Sequence, residues 1–124
     1  MPKRIFVAFA IEDERQRDFL KGQSILGASP FEYVDMSVKE PWSEDWKTRC
    51  RSRIRGCDGV IALISRNTLT ASGAKWEITC AIEEEKPLLG IWAYSDDRTV
   101  LPEMAGKRVV PWTWDAIKTF INSL

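Results

Sequence analysis

Residues 58–86 constrain the fold of this chain more than any other segment. Residues 60–64 (VIALI) form an uninterrupted apolar run, which is typical of a strand covered on both faces. A polar segment follows, and then a predicted helix that carries Glu77 in its opening turns and ends before Pro87. Because ligands of open α/β sheets bind where strands end and helices begin, Glu77 is the first candidate for a chemical role.

The rest of the chain repeats this alternation of strand and helix. Strand-like apolar runs are found at residues 4–10, 31–36, 88–94 and 109–112. Five strands separated by helical segments predict a flavodoxin-like fold, a three-layer α/β arrangement with a parallel sheet and helices on both faces. The expected strand order is 2-1-3-4-5, which places a switch point between the first and third strands, at Phe9, Ala10 and Ser65.

Capping residues and apolar spacing locate the helices. Ser43 and Thr113 are predicted N-caps of the second and the last helix, and residues 101–104 predict a single helical turn. The apolar residues of the first helix predict its inward face, and they are Phe19, Leu20, Ile25 and Leu26.

The composition is typical of a globular protein. The chain of 124 residues can bury one core, so we expect a single domain over residues 1–124. Hydrophobic residues at 44% and charged residues at 29% argue against disorder. No apolar run is long enough to cross a membrane, and 18 basic residues balance 18 acidic ones. We therefore expect neither a membrane nor a nucleic acid as a partner.

Cysteine and histidine usage narrows the possible chemistry. The 3 cysteines lack metal-ligand spacing and are expected to be reduced, which indicates a cytoplasmic protein. The absence of histidine excludes Ser-His-Asp and Cys-His mechanisms and histidine-based metal sites, and we predict no metal. The sequence also has no GxGxxG, P-loop or CxxC motif. Any catalysis must therefore use carboxylates, hydroxyl groups or the backbone.

Glu77 has a helical face of small residues around it. Gly73, Cys80 and Ala81 lie three or four positions away and are expected to leave space for a ligand above the carboxylate. Burial near Trp76 would raise the pKa of Glu77 and suit it to acid–base or nucleophilic work. The alternative is a solvated helical glutamate, or one that caps nearby amides.

Other candidate residues lie at the ends of the first and second strands. Phe9 is either a core residue or presents its ring to a flat ligand such as a nucleobase or nicotinamide. Asp35 and Ser37 either bind ribose hydroxyls or shape a turn. Trp42 and Trp46 flank the loop after the second strand and are candidates for pocket walls.

Two segments carry a resemblance to a known family. Residues 58–65 (DGVIALIS) and 68–78, with the pattern T-x-x-x-S-x-x-K-W-E-I, resemble the TIR-like domains of bacteria, in particular the family that includes the ThsB proteins of Thoeris anti-phage defence. The similarity extends to residues 4–9 (RIFVAF), 35–37 (DMS) and 110–114 (VPWTW), so it covers nearly the whole chain. Its most specific part is the Trp76-Glu77 block.

This resemblance implies a TIR fold and, in active members, cleavage of the nicotinamide–ribose bond of NAD to give ADP-ribose or a cyclic signalling nucleotide. Glu77 matches the catalytic glutamate, and residues 37–42 match the loop that gates the site. The expected substrate-binding residues are Phe9, Ala10, Asp35, Ser37, Trp42, Trp46, Ser65 and Trp76. NAD would be the substrate, with no separate cofactor. The implied partners are further copies of the chain, through TIR–TIR contacts, and a downstream nucleotide-sensing effector.

Two other functions stay open at this stage. Residues 73–78 (GAKWEI), with Ala81 and residues 86–87, also resemble the glutamate helix of nucleoside 2-deoxyribosyltransferases. A third possibility is a non-catalytic interaction module, whose crevice is vestigial and which binds another TIR-like domain. Self-association is expected of the enzyme and of the module alike, so a ligand-binding measurement is needed to separate them.

Overall fold

The computed structural model describes residues 2–26 and 30–124, and its centre is a five-stranded parallel sheet. The strands are β1 (Arg4–Ala8), β2 (Glu32–Val34), β3 (Gly59–Ile64), β4 (Leu88–Trp92) and β5 (Val109–Pro111). Their order in the sheet is β2-β1-β3-β4-β5, so the predicted order is confirmed. Phe6 of β1 pairs with Val34 of β2 on one side and with Val60 of β3 on the other.

Helices cover both faces of the sheet, as predicted. They are α1 (Glu14–Leu26), α2 (Glu44–Arg55), α3 (Ser72–Glu83) and α4 (Trp114–Asn122). Successive side chains of β3 point to opposite faces, which divides the core into two layers. Val60 packs with residues of α2 and α3, whereas Ile61 packs with residues of α1 and α4. Every residue of β3 is buried, which accounts for its continuous apolar sequence.

The predicted helix caps are also found. The Ser43 hydroxyl accepts a hydrogen bond from the backbone N–H of Trp46 at 3.2 Å, and the Thr113 hydroxyl accepts one from Ala116 at 3.1 Å. The single turn predicted over residues 101–104 is a short 3-10 helix, Pro102–Met104. Across the described residues, no helix is both long and apolar enough to cross a lipid bilayer.

The apolar face predicted for α1 is wrong at three of its four positions. Leu20 is buried, but the exposed fractions are 62% for Phe19, 73% for Ile25 and 87% for Leu26. The residues one turn before and after Leu20 are polar, and they occupy the inner face with it. Gln16 donates a hydrogen bond to the Ala93 carbonyl at 2.6 Å, and Ser24 is buried. The inner face of α1 is therefore partly polar, and Gln16 links it to the segment that follows β4.

Candidate functional site

Glu77 lies in the second turn of α3, and its side chain is fully buried beside the end of β1. Its two carboxylate oxygens accept hydrogen bonds from one side-chain donor, the Lys39 ammonium, at 2.9 Å and 2.8 Å. Lys39 comes from the loop between β2 and α2, far from Glu77 in sequence. The carboxylate therefore has a strong partner, but that partner is one flexible side chain.

The Lys39 side chain fills the space that the small residues of α3 leave open. A Cβ atom placed on Gly73 would lie 3.0 Å from the Cβ of Lys39, so no larger residue fits there without a shift of the loop. The ammonium of Lys39 also lies 3.9 Å from the centre of the Phe9 ring. Lys39 thus contacts an aromatic face and a carboxylate at the same time.

Phe9 follows β1 directly and is fully buried. A second cation, the guanidinium of Arg17 on α1, lies 4.8 Å from the centre of the same ring. Two positive groups near one aromatic ring show that this ring provides a favourable surface for cations.

The surroundings of Glu77 place its ionisation near neutral pH. Burial raises its pKa to about 7, although the charge and hydrogen bonds of Lys39 act in the opposite direction. The negative charge of Asp35 raises the pKa of Glu77 further, and a hydrogen bond from the Phe9 backbone lowers it. A carboxyl group of this kind can serve in either protonation state at physiological pH.

Asp35 and Ser37 lie next to this site and hold each other in place. Burial opposes the ionisation of Asp35, but hydrogen bonds from Tyr33, Arg17 and Ser37 outweigh it and keep its pKa below the usual range. The hydroxyl of Tyr33 and the guanidinium of Arg17 each donate to Asp35 at 2.7 Å, and Ser37 donates at 3.1 Å. Asp35 is therefore joined to the Phe9 ring through Arg17, and its oxygens are already occupied.

A small crevice of about 160 Å³ opens above Phe9 and Ala10. Lys39 and Gly73 line it, and Trp42 also lines it with 77% of its surface exposed. Sites that enclose drug-sized ligands measure roughly 300–1,000 Å³. The crevice is thus too small for a dinucleotide while Lys39 holds Glu77.

Trp46 and Trp76 do not line the crevice, and Trp46 instead contacts the loop that carries Lys39. Trp46 is buried, and its indole N–H donates to the Val38 carbonyl at 2.6 Å, which fixes the loop next to Lys39. Its ring meets that of Trp76 edge to face at 5.5 Å. Trp76 is half-buried, and the guanidinium of Arg51 lies 5.5 Å from its ring.

Ser65 is also buried and belongs to a second polar cluster at the same edge of the sheet. The centre of this cluster is Asp13, a fully buried residue of the short 3-10 helix Ile11–Asp13. Its carboxylate accepts hydrogen bonds from Ser65 at 2.6 Å, Asn67 at 2.8 Å and Tyr94 at 2.8 Å. The cluster joins the segments that follow β1, β3 and β4.

Sequence reasoning missed three of these residues. Local sequence patterns assign no role in the site to Asp13 or Arg17, and they place Lys39 only within the loop of residues 37–42. The only sequence signal for Lys39 was its place in residues 37–42. Within residues 2–26 and 30–124, no group of three or more Asp, Glu or Cys side chains could hold a metal ion.

A comparison with protein families identifies the family of the chain. A family model described as the TIR-like domain of the Thoeris protein ThsB matches residues 6–98, which is more than half of the chain. The matched segment contains Phe9, Lys39 and Glu77. No curated protein sequence gives a significant match to the chain.

Proposed function

Because the chain belongs to the family of Thoeris ThsB proteins with a TIR-like domain, we propose that it cleaves the nicotinamide–ribose bond of NAD in anti-phage defence. The observation that carries this proposal is the buried Glu77 carboxylate, which lies beside the Phe9 ring at the switch point of the sheet. The product would be an ADP-ribose-derived nucleotide that signals to a downstream effector.

The reaction needs one carboxylate and a well-shaped pocket. The bond between ribose C1′ and the nicotinamide nitrogen breaks, and its electron pair leaves with nicotinamide, which becomes neutral. Positive charge develops on the ribose, where an anionic Glu77 stabilises it. Phe9 orients the ring that departs.

The acceptor decides the product. Attack of water on C1′ gives ADP-ribose, with the water proton passing to Glu77 or to solvent. Attack by an atom of the same ADP-ribosyl group gives a cyclic nucleotide, and exclusion of water from the pocket favours this route. Trp42 at the rim and the loop of residues 37–42 are the elements that would exclude water.

Glutamine at position 77 tests the proposal most directly. We expect concentrated wild-type protein to consume NAD, with the products separated by chromatography, and Glu77→Gln to lose roughly 10²–10⁴-fold in rate. Glu83→Gln changes a glutamate at the exposed end of the same helix and should leave the rate unchanged. Equal rates for wild type and Glu77→Gln would reject Glu77 as the catalytic group.

A trigger from infected cells is a necessary second arm of this experiment. If purified protein leaves NAD intact, the assay is repeated in lysate from phage-infected cells, where TIR–TIR assembly can be induced. Loss of NAD in that lysate with wild type but not with Glu77→Gln supports the proposal. A parallel incubation with a deoxynucleoside and a free base detects deoxyribosyl transfer instead.

The closed state of the site favours one second candidate, a non-catalytic interaction module. Glu77 is sealed from solvent and already paired with Lys39, as expected of a vestigial crevice. Under this alternative, neither NAD nor a nucleoside at large excess would raise the thermal unfolding temperature of the protein. A rise in that temperature with NAD would argue for the enzyme.

A further inference from the structure

We propose that Lys39 is an internal competitor for a positively charged substrate ring, because its ammonium occupies the place between Phe9 and Glu77 where such a ring must bind. The inference rests on the proposed function, in which the substrate carries a pyridinium cation. It adds that Lys39 keeps the site closed and that the site selects for positive charge.

The Lys39 ammonium contacts both groups that would bind a cationic ring. It lies 3.9 Å from the centre of the Phe9 ring and within 2.9 Å of both oxygens of Glu77. A flat cationic heterocycle over Phe9 would satisfy the same two groups, by a cation–π contact and by ion pairing with the carboxylate. A ring stacked on this face of Phe9 would overlap the ammonium, which lies at stacking distance from the same ring, so only one of the two can be bound there.

The loop around Lys39 is anchored, so the side chain can leave without the backbone. The carbonyl of Val38 accepts from the Trp46 indole at 2.6 Å, and that of Glu40 accepts from the Ser43 N–H at 2.9 Å. The Asp35 carbonyl accepts from Arg53 at 2.6 Å. A lysine has a flexible four-carbon stem, so rotation of this one side chain removes the ammonium from Glu77 and from the Phe9 ring.

The burial of Glu77 explains why the replacement must be a cation. Removing Lys39 from the fully buried and ionised Glu77 leaves an uncompensated charge, which is strongly unfavourable unless the carboxyl takes up a proton. A neutral ring of the same shape would fill the space but would not replace the charge. A positively charged ring does both, so displacement of Lys39 is coupled to recognition of charge.

Binding of two small probes tests this inference without any need for turnover. The probes are 1-methylnicotinamide, a permanent pyridinium cation, and nicotinamide, its neutral analogue. Dissociation constants are measured by calorimetry at several pH values up to about pH 10, because Lys39 lowers the pKa of Glu77 and its removal raises that pKa above about 7. We expect Lys39→Ala to bind 1-methylnicotinamide at least about tenfold more tightly than wild type, because the competitor is gone.

The same variant should prefer the cation over neutral nicotinamide by at least about tenfold, and adding Glu77→Gln should remove that preference. Lys39→Met keeps most of the stem against Gly73 without the charge, so it replaces Lys39→Ala if the latter does not fold. Lys21→Ala is the matched control, since Lys21 lies 5.7 Å from the ring of Tyr33 on the exposed side of α1. It should bind both probes as wild type does.

Three results would overturn the inference. They are equal binding of the cation by wild type and both Lys39 variants, no binding by any of them, and equal affinity of Lys39→Ala for the two probes. NAD cleavage is recorded separately. Charge-selective binding without NAD cleavage would reject the proposed function alone, whereas NAD cleavage with no effect of Lys39 on binding would reject only the role of Lys39.

Discussion

Two carboxylates, Asp13 and Glu77, are buried at the same edge of the sheet but are held in opposite ways. Asp13 accepts from three neutral donors, which are Ser65, Asn67 and Tyr94. Glu77 takes both of its side-chain hydrogen bonds from one cation, the ammonium of Lys39. One carboxylate is therefore held by side chains from several segments, whereas the other has a single side chain as its charged partner.

This difference indicates a structural role for Asp13 and a ligand-binding role for Glu77. The donors to Asp13 are short or rigid side chains, and Ser65 is itself fixed as the cap of the 3-10 helix Arg66–Thr70. If one of them moved away, the buried Asp13 carboxylate would lose a hydrogen bond, so the cluster holds these segments in a fixed arrangement. Lys39 can rotate away and leave Glu77 to a ligand. A fully buried carboxylate therefore indicates a ligand-binding site only when a ligand can replace its hydrogen-bond donor.

The largest expected effect is on stability, from the loss of Asp13. We expect Asp13→Ala to lower the free energy of unfolding by about 3–5 kcal/mol, because the buried Ser65 and the partly buried Asn67 and Tyr94 lose their shared acceptor. Urea unfolding followed by circular dichroism measures this. Asp18→Ala removes an exposed acid that pairs with Arg17, and it should change stability by less than about 1 kcal/mol. A loss below about 1 kcal/mol for Asp13→Ala would contradict the structural role.

The next effect is a pH dependence that Glu77 contributes. Burial raises its pKa from the ordinary value of 4.5 to about 7 in the folded state. A group whose pKa is raised on folding stabilises the fold fully below its unfolded pKa, and this contribution is lost as pH rises through the folded pKa. Relative to Glu77→Gln, the wild type should therefore lose about 3 kcal/mol between about pH 4.5 and 7.

Other charged and titratable groups lie around Glu77 and affect the interpretation of this pH dependence. Lys39 faces it from the loop, Asp35 from the end of β2 and Cys50 from α2. Burial keeps the pKa of the Cys50 thiol well above its usual range, so this group stays neutral throughout. Unfolding in urea at several pH values, with wild type and Glu77→Gln side by side, isolates the contribution of the carboxyl. A difference that does not change with pH would show that Glu77 keeps an ordinary pKa.

Sequence patterns predicted the sheet well because a buried strand is a run of consecutive apolar residues. The run over residues 60–64 and the position of Glu77 after it were enough to place a carboxylate near the switch point. The pairing of Lys39 with Glu77 spans 38 positions and follows no period, and that of Asp13 with Tyr94 spans 81. Such contacts depend on how loops cross the sheet edge, so no local pattern reveals them.

The same limit explains the wrong face of α1. Apolar spacing predicted that Phe19, Ile25 and Leu26 point inward, because periodicity ranks residues by hydrophobicity alone. The structure instead turns Gln16 and Ser24 inward, where Gln16 donates to the Ala93 carbonyl after β4 and the Ser24 hydroxyl donates to the Lys21 carbonyl of its own helix. A sequence pattern cannot show which polar residues will find a buried partner.

The smallest effect comes from two glycines in helices, one under Lys39 and one in open space. Gly22 of α1 has nothing within 4 Å of the position of a Cβ atom, so Gly22→Ala should stabilise the protein by about 0.5–1 kcal/mol. At Gly73 the new methyl group would lie 3.0 Å from the Cβ of Lys39, at the root of the side chain, where only the loop can give way. We expect Gly73→Ala to lose about 1 kcal/mol, because overpacking exceeds the gain in helix propensity.

Opposite signs for these two substitutions in thermal unfolding would show that Lys39 is packed firmly against α3. In that case the closed site is stabilised by the fit of the lysine stem as well as by the ion pair, and a ligand must displace both. Stabilisation by Gly73→Ala equal to that by Gly22→Ala would instead mean that the loop yields easily. Glu77 would then be held closed by the ion pair alone, so a competing cation would have only that interaction to replace.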